Sequence, residues 1–181
     1  MNYFETLPEQ TRKYILQLAE EVQDVVPIGG KTFRVSTSQL DPRINPSDLL
    51  DQASTWMIRG HPYLYYIRVL NKPSLALIEQ TFKKAKDQKK NERAYPRFNR
   101  RSEFIYVGCS WGMFSRFKGH LGYGAKGTFA LQLAHWAQEL NLELDFICAE
   151  YPQETLSEVL QALEDTLWDT LNPMFGRRGQ R

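Results

Sequence analysis

The sequence contains little cysteine and no long apolar segment. Its two cysteines, Cys109 and Cys148, lie far apart, which matches neither a metal-ligand spacing nor a disulfide framework. No run of about 18 apolar residues occurs, so a transmembrane helix is excluded. The first ten residues include Glu5 and Glu9, where a signal peptide would need an apolar core. We therefore expect no membrane association and a reducing, cytoplasmic location.

The composition is otherwise that of an ordinary globular protein. The chain has 181 residues, of which 42% are hydrophobic and 24% are charged, and this length suits one domain or a core with an appendage. The net charge is only +2. Between residues 83 and 101, however, nine basic and two acidic residues give a local charge of +7, so the rest of the chain carries −5.

This basic run predicts a surface that contacts nucleic acid. Such runs are usually solvated faces, but the charge asymmetry and the interleaved Tyr95 and Phe98 favour phosphate contact. We assign to this surface Lys83, Lys84, Lys86, Lys89, Lys90, Arg93, Arg97, Arg100 and Arg101, together with Lys126 from a glycine-rich loop.

The first 61 residues are predicted to form a mostly helical extension. The segment Thr6–Glu9 resembles a capping box with proline in the first turn, so a helix should run from there to about Val25. Its inward residues would be Tyr14, Ile15, Leu18 and Val22. A short strand at 31–36 and a helix at 48–58 follow. No motif assigns this region a role, and we interpret it as extra packing or a dimer surface.

Two later segments are predicted to be paired strands. Residues 63–70 alternate strongly and residues 104–107 are aromatic or β-branched throughout. Alternation places on one face of the first strand Tyr63, Tyr65, Ile67 and Val69. We expect the strands to pair antiparallel, with a helix over residues 74–90, capped by Ser74, inserted between them.

A helix that carries two cationic side chains is predicted directly after the second strand. Gly108 lets the backbone turn, and apolar residues then recur every four positions at Met113, Phe117 and Leu121. Arg116 and His120 are one helical turn apart on an adjacent stripe. The helix therefore presents an arginine and a histidine near a strand that carries tyrosine.

The remainder of the chain is predicted to be a helix, a strand and a second helix. Residues 128–140 should form a helix with Phe129 buried, and His135 on it is interpreted as structural or surface-exposed. Residues 142–148 should form a third strand, and residues 153–171 a final helix.

Glu164 is the one acid of the final helix that leans toward the protein. At about 100° per residue, it lies roughly 60° from the centre of the leucine stripe and roughly 110° from the acidic face. A carboxylate near an interior needs a partner. The helix alone leaves two alternatives open, which are a salt bridge to a residue such as Arg116 and a bound metal ion.

These features together resemble the GIY-YIG nuclease superfamily over residues 62–179. Tyr106-Val107-Gly108 with Arg116 ten residues after its tyrosine, and then His120, is similar to the second half of the family signature. The segment 63–67 resembles the first half, with Tyr65 at the tyrosine position and Tyr63 where the family has glycine. The family's late glutamate would be Glu164. Its terminal asparagine position is occupied by Gly176.

The resemblance implies a fold and a division of the chain. The fold class would be α+β, a small three-stranded antiparallel sheet flanked by helices. Residues 62–181 would form the nuclease domain, and residues 72–102 would be a helical basic insert in its first hairpin. Residues 1–61 would be the N-terminal helical extension.

The resemblance also implies a reaction, which is metal-dependent hydrolysis of DNA phosphodiesters. Glu164 would bind Mg²⁺ or Mn²⁺, and Arg116 would grip the scissile phosphate. Tyr65 or Tyr106 would orient or deprotonate the attacking water, and His120 would hydrogen-bond the tyrosine or the water. In the family the first-motif tyrosine, here Tyr65, is the usual base.

The layout without an additional DNA-reading domain resembles standalone restriction-type members of the superfamily. A type II restriction enzyme that cuts double-stranded DNA as a homodimer would follow from this. The alternative is a nucleic-acid-binding protein that uses the same fold without catalysis.

Overall fold

The computed structural model describes residues 3–71 and 74–179, which form five α-helices and one four-stranded antiparallel sheet. The helices are α1 (Tyr3–Asp24), α2 (Ser47–Trp56), α3 (Leu75–Asp87), α4 (Met113–Leu121) and α5 (Ser157–Leu171). The strands are β1 (Gly29–Ser36), β2 (Tyr63–Val69), β3 (Phe104–Ser110) and β4 (Glu143–Glu150). Within the described ranges, no helix has the length and apolar content needed to cross a membrane.

The sheet has four strands, so the expected three-stranded sheet is wrong by one. The strand order is β1-β4-β2-β3, and β1 pairs with β4 along its whole length, from Gly29 opposite Glu150 to Ser36 opposite Glu143. Alternation in the sequence indicated a strand here, but a pairing across more than a hundred residues leaves no local signal. The division of the chain at residue 61 stays a prediction, although β1 supplies a strand of the sheet.

One face of the sheet carries the main hydrophobic core. Tyr63, Tyr65 and Ile67 point to this face and are at most 1% exposed, as their alternation predicts. On the same face Phe117 of α4 packs against Phe146 of β4, with ring centroids 4.9 Å apart. Burial of each such side chain contributes about 1.5–3 kcal/mol, and this packing holds α4 against the sheet.

The opposite face is covered by α5, with α1 packed on that helix. Leu160 of α5 lies against Leu64 and Tyr151. The first helix begins at Tyr3 rather than at the predicted cap, and Pro8 lies inside it. Two of its predicted inward residues are instead exposed, Tyr14 by 50% and Ile15 by 57%. The reason is that α1 packs mainly on α5, so most of its surface faces away from the protein.

The predicted antiparallel pairing of β2 and β3 is observed, and the segment between them contains α3. The side chain of Ser74 caps this helix by accepting a hydrogen bond from the Leu77 amide. Phe82 of α3 is fully buried against Phe175, with ring centroids 4.2 Å apart. The segment is thus anchored to the end of the chain. The first two residues of the predicted insert, 72 and 73, lie outside the described residues.

The helix predicted over residues 128–140 is wrong, because two 3₁₀ turns occupy its second half. Gln132 has a left-handed backbone with φ of 57°, which interrupts any helix. His135 is structural, as interpreted from the sequence. Its Nε2 donates to the Gly122 carbonyl at 3.0 Å, and its Nδ1 therefore accepts from the Asn91 amide at 2.6 Å.

Candidate active site

Arg116 connects two tyrosines from neighbouring strands. Its Nε donates to the hydroxyl of Tyr65 on β2 at 3.2 Å, and its Nη2 donates to the hydroxyl of Tyr106 on β3 at 2.5 Å. Its Nη1 donates to the carbonyl of Phe129 at 2.9 Å. All three nitrogens of the planar guanidinium are engaged, so its orientation is fixed before any ligand binds.

The two tyrosines meet because of the register of the β2–β3 pair. Tyr65 lies opposite Gly108, and Tyr106 lies opposite Ile67. The rings of Tyr65 and Tyr106 are nearly parallel, at 12°, with centroids 6.1 Å apart. A Cβ at Gly108 would lie 2.7 Å from the Tyr65 hydroxyl. The glycine of the Tyr-Val-Gly segment therefore provides the space that the Tyr65 ring occupies.

His120 is a neutral hydrogen-bond donor in this arrangement. It is 0% exposed, and its Nδ1 accepts the Leu131 amide at 3.3 Å. The ring proton must then be on Nε2, which lies 2.9 Å from the Tyr65 hydroxyl and donates to it. Burial lowers the pKa of His120 well below its ordinary value, and Arg116 lowers it further. The histidine therefore orients Tyr65 rather than accepting its proton.

Both tyrosines rest in the protonated form. Burial raises the pKa of Tyr65 well above its ordinary value and also raises the pKa of Tyr106, while Arg116 opposes the shift in each. The Tyr65 oxygen accepts from Arg116 and His120, so its own proton is left to donate elsewhere. Arg116 and His120 would also stabilise the Tyr65 phenolate, if an additional cation offset the free-energy cost of burying its charge.

Glu164 is buried, as its position on the helix predicted, and it forms no ion pair with any described residue. Its side chain is 5% exposed. Burial raises the pKa of this carboxyl group, whereas hydrogen bonds from the thiol and backbone amide of Cys109 and the nearby charge of Arg116 lower it. The direct salt bridge to Arg116, one of the two alternatives left open above, is not formed.

His120 is fully buried, and the other four groups, Tyr65, Tyr106, Arg116 and Glu164, line one cleft of about 660 Å³ beside the edge strand β3. Sequence reasoning missed several of its residues, which are Cys109, Ser110, Trp111, Phe129, Ser157, Gln161 and Arg177. Trp111 is 36% exposed and Phe129 is 58% exposed, so the predicted burial of Phe129 is wrong. Periodicity alone could not find these aromatics, because both lie in irregular segments next to α4.

The cleft is suited to a cation that takes few ligands from the protein. The described residues contain no group of three or more His, Cys, Asp or Glu side chains able to hold a metal. Mg²⁺ commonly binds through one or two carboxylates, with water and substrate phosphate completing its coordination. A single buried carboxylate in an open cleft, namely Glu164, fits that donor set.

Besides Arg93, four of the predicted DNA-contacting cations make contacts within the protein. Lys83 and Arg101 both pair with Glu79, at 2.5 Å and 2.7 Å. Lys86 donates to the Pro96 carbonyl at 3.0 Å. Lys126 pairs with an exposed acid, Glu92, at 2.8 Å. These four are less available to an external anion than their sequence position indicated.

The other predicted cations differ in exposure. Arg93 is partly buried and donates to the Gly124 carbonyl and to the Gln132 side chain, both at 3.0 Å. The exposed cations for which the described residues provide no ion pair are Lys84, Lys89, Lys90, Arg97 and Arg100. The available positive charge is therefore divided between two places, which are the end of α3 with the turn that follows it and the segment that leads to β3.

Both departures from the family pattern have a structural role here. Tyr63 is 0% exposed, and its hydroxyl accepts the Ile58 amide at 2.9 Å and donates to the Trp56 carbonyl at 3.2 Å. Gly176 has φ of +107°, and a Cβ there would lie 3.1 Å from the rings of Trp168 and Tyr106. A side chain at position 176 would disturb the site instead of contributing to it.

Comparison of the chain with protein-family models, with curated proteins and with solved structures gave no match. The geometry of the cleft is therefore the basis on which a function is assigned.

Proposed function

We propose that this protein is a divalent-metal-dependent endonuclease that hydrolyses DNA phosphodiester bonds, with the GIY-YIG superfamily as its family. The observation that carries the proposal is the placement of Arg116. It is oriented by two tyrosine hydroxyls in the same cleft that receives the buried carboxylate of Glu164. A guanidinium and a buried carboxylate in one open cleft suit a phosphate with its metal ion.

Arg116 would stabilise negative charge on the scissile phosphate. Its pKa is raised, chiefly by the neighbouring Tyr65, so it remains a cation at any pH of interest. Because its nitrogens are already held by oxygen atoms of the protein, it needs little reorganisation as charge develops. Such preorganisation favours the transition state over the ground state.

We assign to Tyr65 the role of orienting or deprotonating the attacking water. Its oxygen receives hydrogen bonds from Arg116 and His120, both of which favour the phenolate over the phenol. His120 is a positioning residue, since its Nδ1 is occupied by the Leu131 amide. Tyr106 holds the second arm of the Arg116 guanidinium.

Glu164 would hold the cation through its carboxylate, which forms no ion pair with a described residue. A bound Mg²⁺ or Mn²⁺ would neutralise phosphate charge and stabilise the leaving oxygen. The hydrogen bonds from Cys109 orient the carboxylate and favour its ionised form.

Incubation of the purified protein with plasmid and phage DNA, with Mg²⁺ or with EDTA, tests the proposal. We expect nicked or linear products only with the metal, and loss of products in Tyr65→Phe. Fixed ends on sequenced products and a dimer in sedimentation would support the restriction-type, dimeric form of the proposal. Metal-independent DNA binding without cleavage would instead support the alternative, a non-catalytic nucleic-acid-binding protein.

A further inference from the structure

A second basic cavity adjoins the candidate active site. It measures about 450 Å³ and its wall includes four arginines, Arg97, Arg100, Arg177 and Arg178. Asn99, Trp168, Asn172 and Pro173 complete the wall, so no acid among the described residues lines it. Arg177 lines both this cavity and the active-site cleft. The two cavities are therefore neighbours that share one side chain.

The backbone that displays these arginines is built by pairing between two distant segments. The Asn99 amide donates to the Met174 carbonyl at 2.8 Å, and the Gly176 amide donates to the Arg97 carbonyl at 2.9 Å. The Asn99 side chain also donates to the Gly176 carbonyl, at 3.2 Å. The arginines are thus held near one another by main-chain contacts that do not use their guanidinium groups.

Three of the four guanidinium groups have no partner in the described part of the chain. Arg178 is held by Asp169 at 3.0 Å and by Asp165 at 3.4 Å. Arg97, Arg100 and Arg177 are exposed, and no ion pair or side-chain hydrogen bond to a described residue is formed by any of them. Like charges that are gathered without an acid repel each other, and a bound anion relieves that repulsion.

We propose that Arg97, Arg100 and Arg177 form a second phosphate-binding subsite, which holds the nucleic-acid strand one or more nucleotides away from the bond to be cut. This subsite rests on the proposed nuclease function, because the shared Arg177 makes it an extension of the active-site cleft. Guanidinium groups suit phosphate oxygens in geometry as well as charge. Trp168 in the same wall offers an aromatic surface to a base or sugar.

The subsite is tested by DNA binding, measured by fluorescence anisotropy without a catalytic metal over a range of salt concentrations. In Arg177→Gln we expect affinity to fall about tenfold. The slope of its salt dependence should correspond to about one fewer counterion released on binding, because one phosphate contact is removed. Arg178→Gln is the matched control. It removes the same charge one residue away, but from a guanidinium that two carboxylates already engage, so we expect less than a twofold change in affinity.

Uncharged methylphosphonate linkages, placed one at a time along the duplex, locate the contact. With the parent protein, a methylphosphonate at one position beside the cut should weaken binding. With the triple variant Arg97→Gln, Arg100→Gln, Arg177→Gln, the same position should have no effect. All variants should show the parent's thermal unfolding, since the main-chain contacts remain.

The outcomes separate this inference from the proposed function. Equal losses in Arg177→Gln and Arg178→Gln, or no loss in either, would overturn the subsite even in a protein that cuts DNA. A parent protein that binds DNA through Arg177 and never cuts it would overturn the nuclease proposal and leave the subsite standing. Absence of any DNA binding by the parent protein would overturn both.

Discussion

Gly108 and Tyr65 occupy opposite positions on β2 and β3, and the tyrosine ring fills the space where a side chain at 108 would be. An added Cβ would lie 2.7 Å from the Tyr65 hydroxyl and 2.9 Å from the ring carbon that bears it. Tyr65 is 1% exposed, so the ring has little room to move away. The position of the candidate base thus depends on a glycine two residues beyond Tyr106.

Gly108→Ala should therefore displace the Tyr65 hydroxyl from Arg116 and His120. We expect cleavage to fall by about 10²-fold or more and the free energy of unfolding to fall by about 1–3 kcal/mol, as for other overpacked sites. Gly127→Ala is the control, because Gly127 lines the same cleft and a Cβ there would meet nothing within 4 Å. Parent-like cleavage by Gly108→Ala, measured on plasmid DNA, would exclude Tyr65 as a reacting group.

Glu164→Gln should separate activity from stability. The change keeps the shape of the side chain but removes an ionisable group. Burial raises the pKa of the Glu164 carboxyl, so in the parent protein the neutral carboxyl stabilises the fold at low pH. That stabilisation is lost as the pH rises above the ordinary pKa of a glutamate. At neutral pH without metal, we expect the variant to be more stable by about 1 kcal/mol, within the range of relieved active-site strain.

The same variant should not cut DNA, and Mg²⁺ should raise the thermal unfolding temperature of the parent protein only. Exposed Glu154, changed to Gln, is the control and should behave as the parent. A parent protein and a Glu164→Gln variant with equal Mg²⁺ responses would place the cation elsewhere.

Local periodicity was sufficient to find four of the side chains at the candidate site, although it missed much of the cleft lining. Alternation placed Tyr65 on the buried face, the four-residue spacing placed Arg116 and His120 on one side of α4, and the leucine stripe indicated that Glu164 turns inward. Each of these inferences concerns neighbours within one element, where backbone geometry fixes direction. This explains why they agree with the structure.

Pairings between distant segments could not be predicted in the same way. The fourth strand, the contact of Cys109 with Glu164 and the pairing of Asn99 with Met174 all join residues far apart in sequence. The segment over residues 128–140 is apolar enough for a helix, but burial against neighbouring elements and the left-handed Gln132 break it into turns. Tertiary contacts override local propensity at such positions.

The pH dependence of cleavage should reflect the raised pKa of Tyr65. Below that pKa the phenolate fraction increases tenfold for each pH unit, so the rate at saturating DNA should rise with a slope near one from about pH 6.5 to about pH 9. Replacing Tyr65 with a fluorinated tyrosine, whose phenol has a lower pKa, should move the pH dependence of the cleavage rate to lower pH. A flat profile, or one insensitive to that replacement, would remove Tyr65 as the base.

Acid should destabilise the protein through His120. The pKa of this buried histidine is lowered, so its contribution to stability is present above its ordinary value of 6.5 and is lost as the pH falls. Between about pH 6 and pH 5 the parent should lose up to about 1.4 kcal/mol more per pH unit than His120→Gln in urea unfolding. Glutamine can accept from Leu131 and donate to Tyr65 without titrating. Identical slopes would show that His120 takes up its proton equally in the folded and the unfolded protein, and that its pKa is not lowered by folding.

Substitution of Arg116 separates an enzyme from a binding module. Arg116→Lys keeps the charge but loses the fork that holds Tyr65 and Tyr106 together, and Arg116→Ala loses both. We expect cleavage to fall in both variants by about 10² or more, the scale of one lost oxyanion donor. Affinity for uncut DNA, measured with Ca²⁺ in place of Mg²⁺, should change far less, because many other cations share the binding.

The control for these variants is Arg43→Lys, in an exposed arginine that pairs with Asp41 at 2.8 Å; cleavage by it should match the parent. A binding module would show no cleavage in the parent protein, and an effect of Arg116 on affinity alone. If Arg116→Ala unfolds, Arg116→Lys still decides the matter, because it retains a cation beside the two phenols. Full cleavage by a folded Arg116→Lys variant would mean that charge alone suffices, and the role assigned here to the planar fork would be wrong.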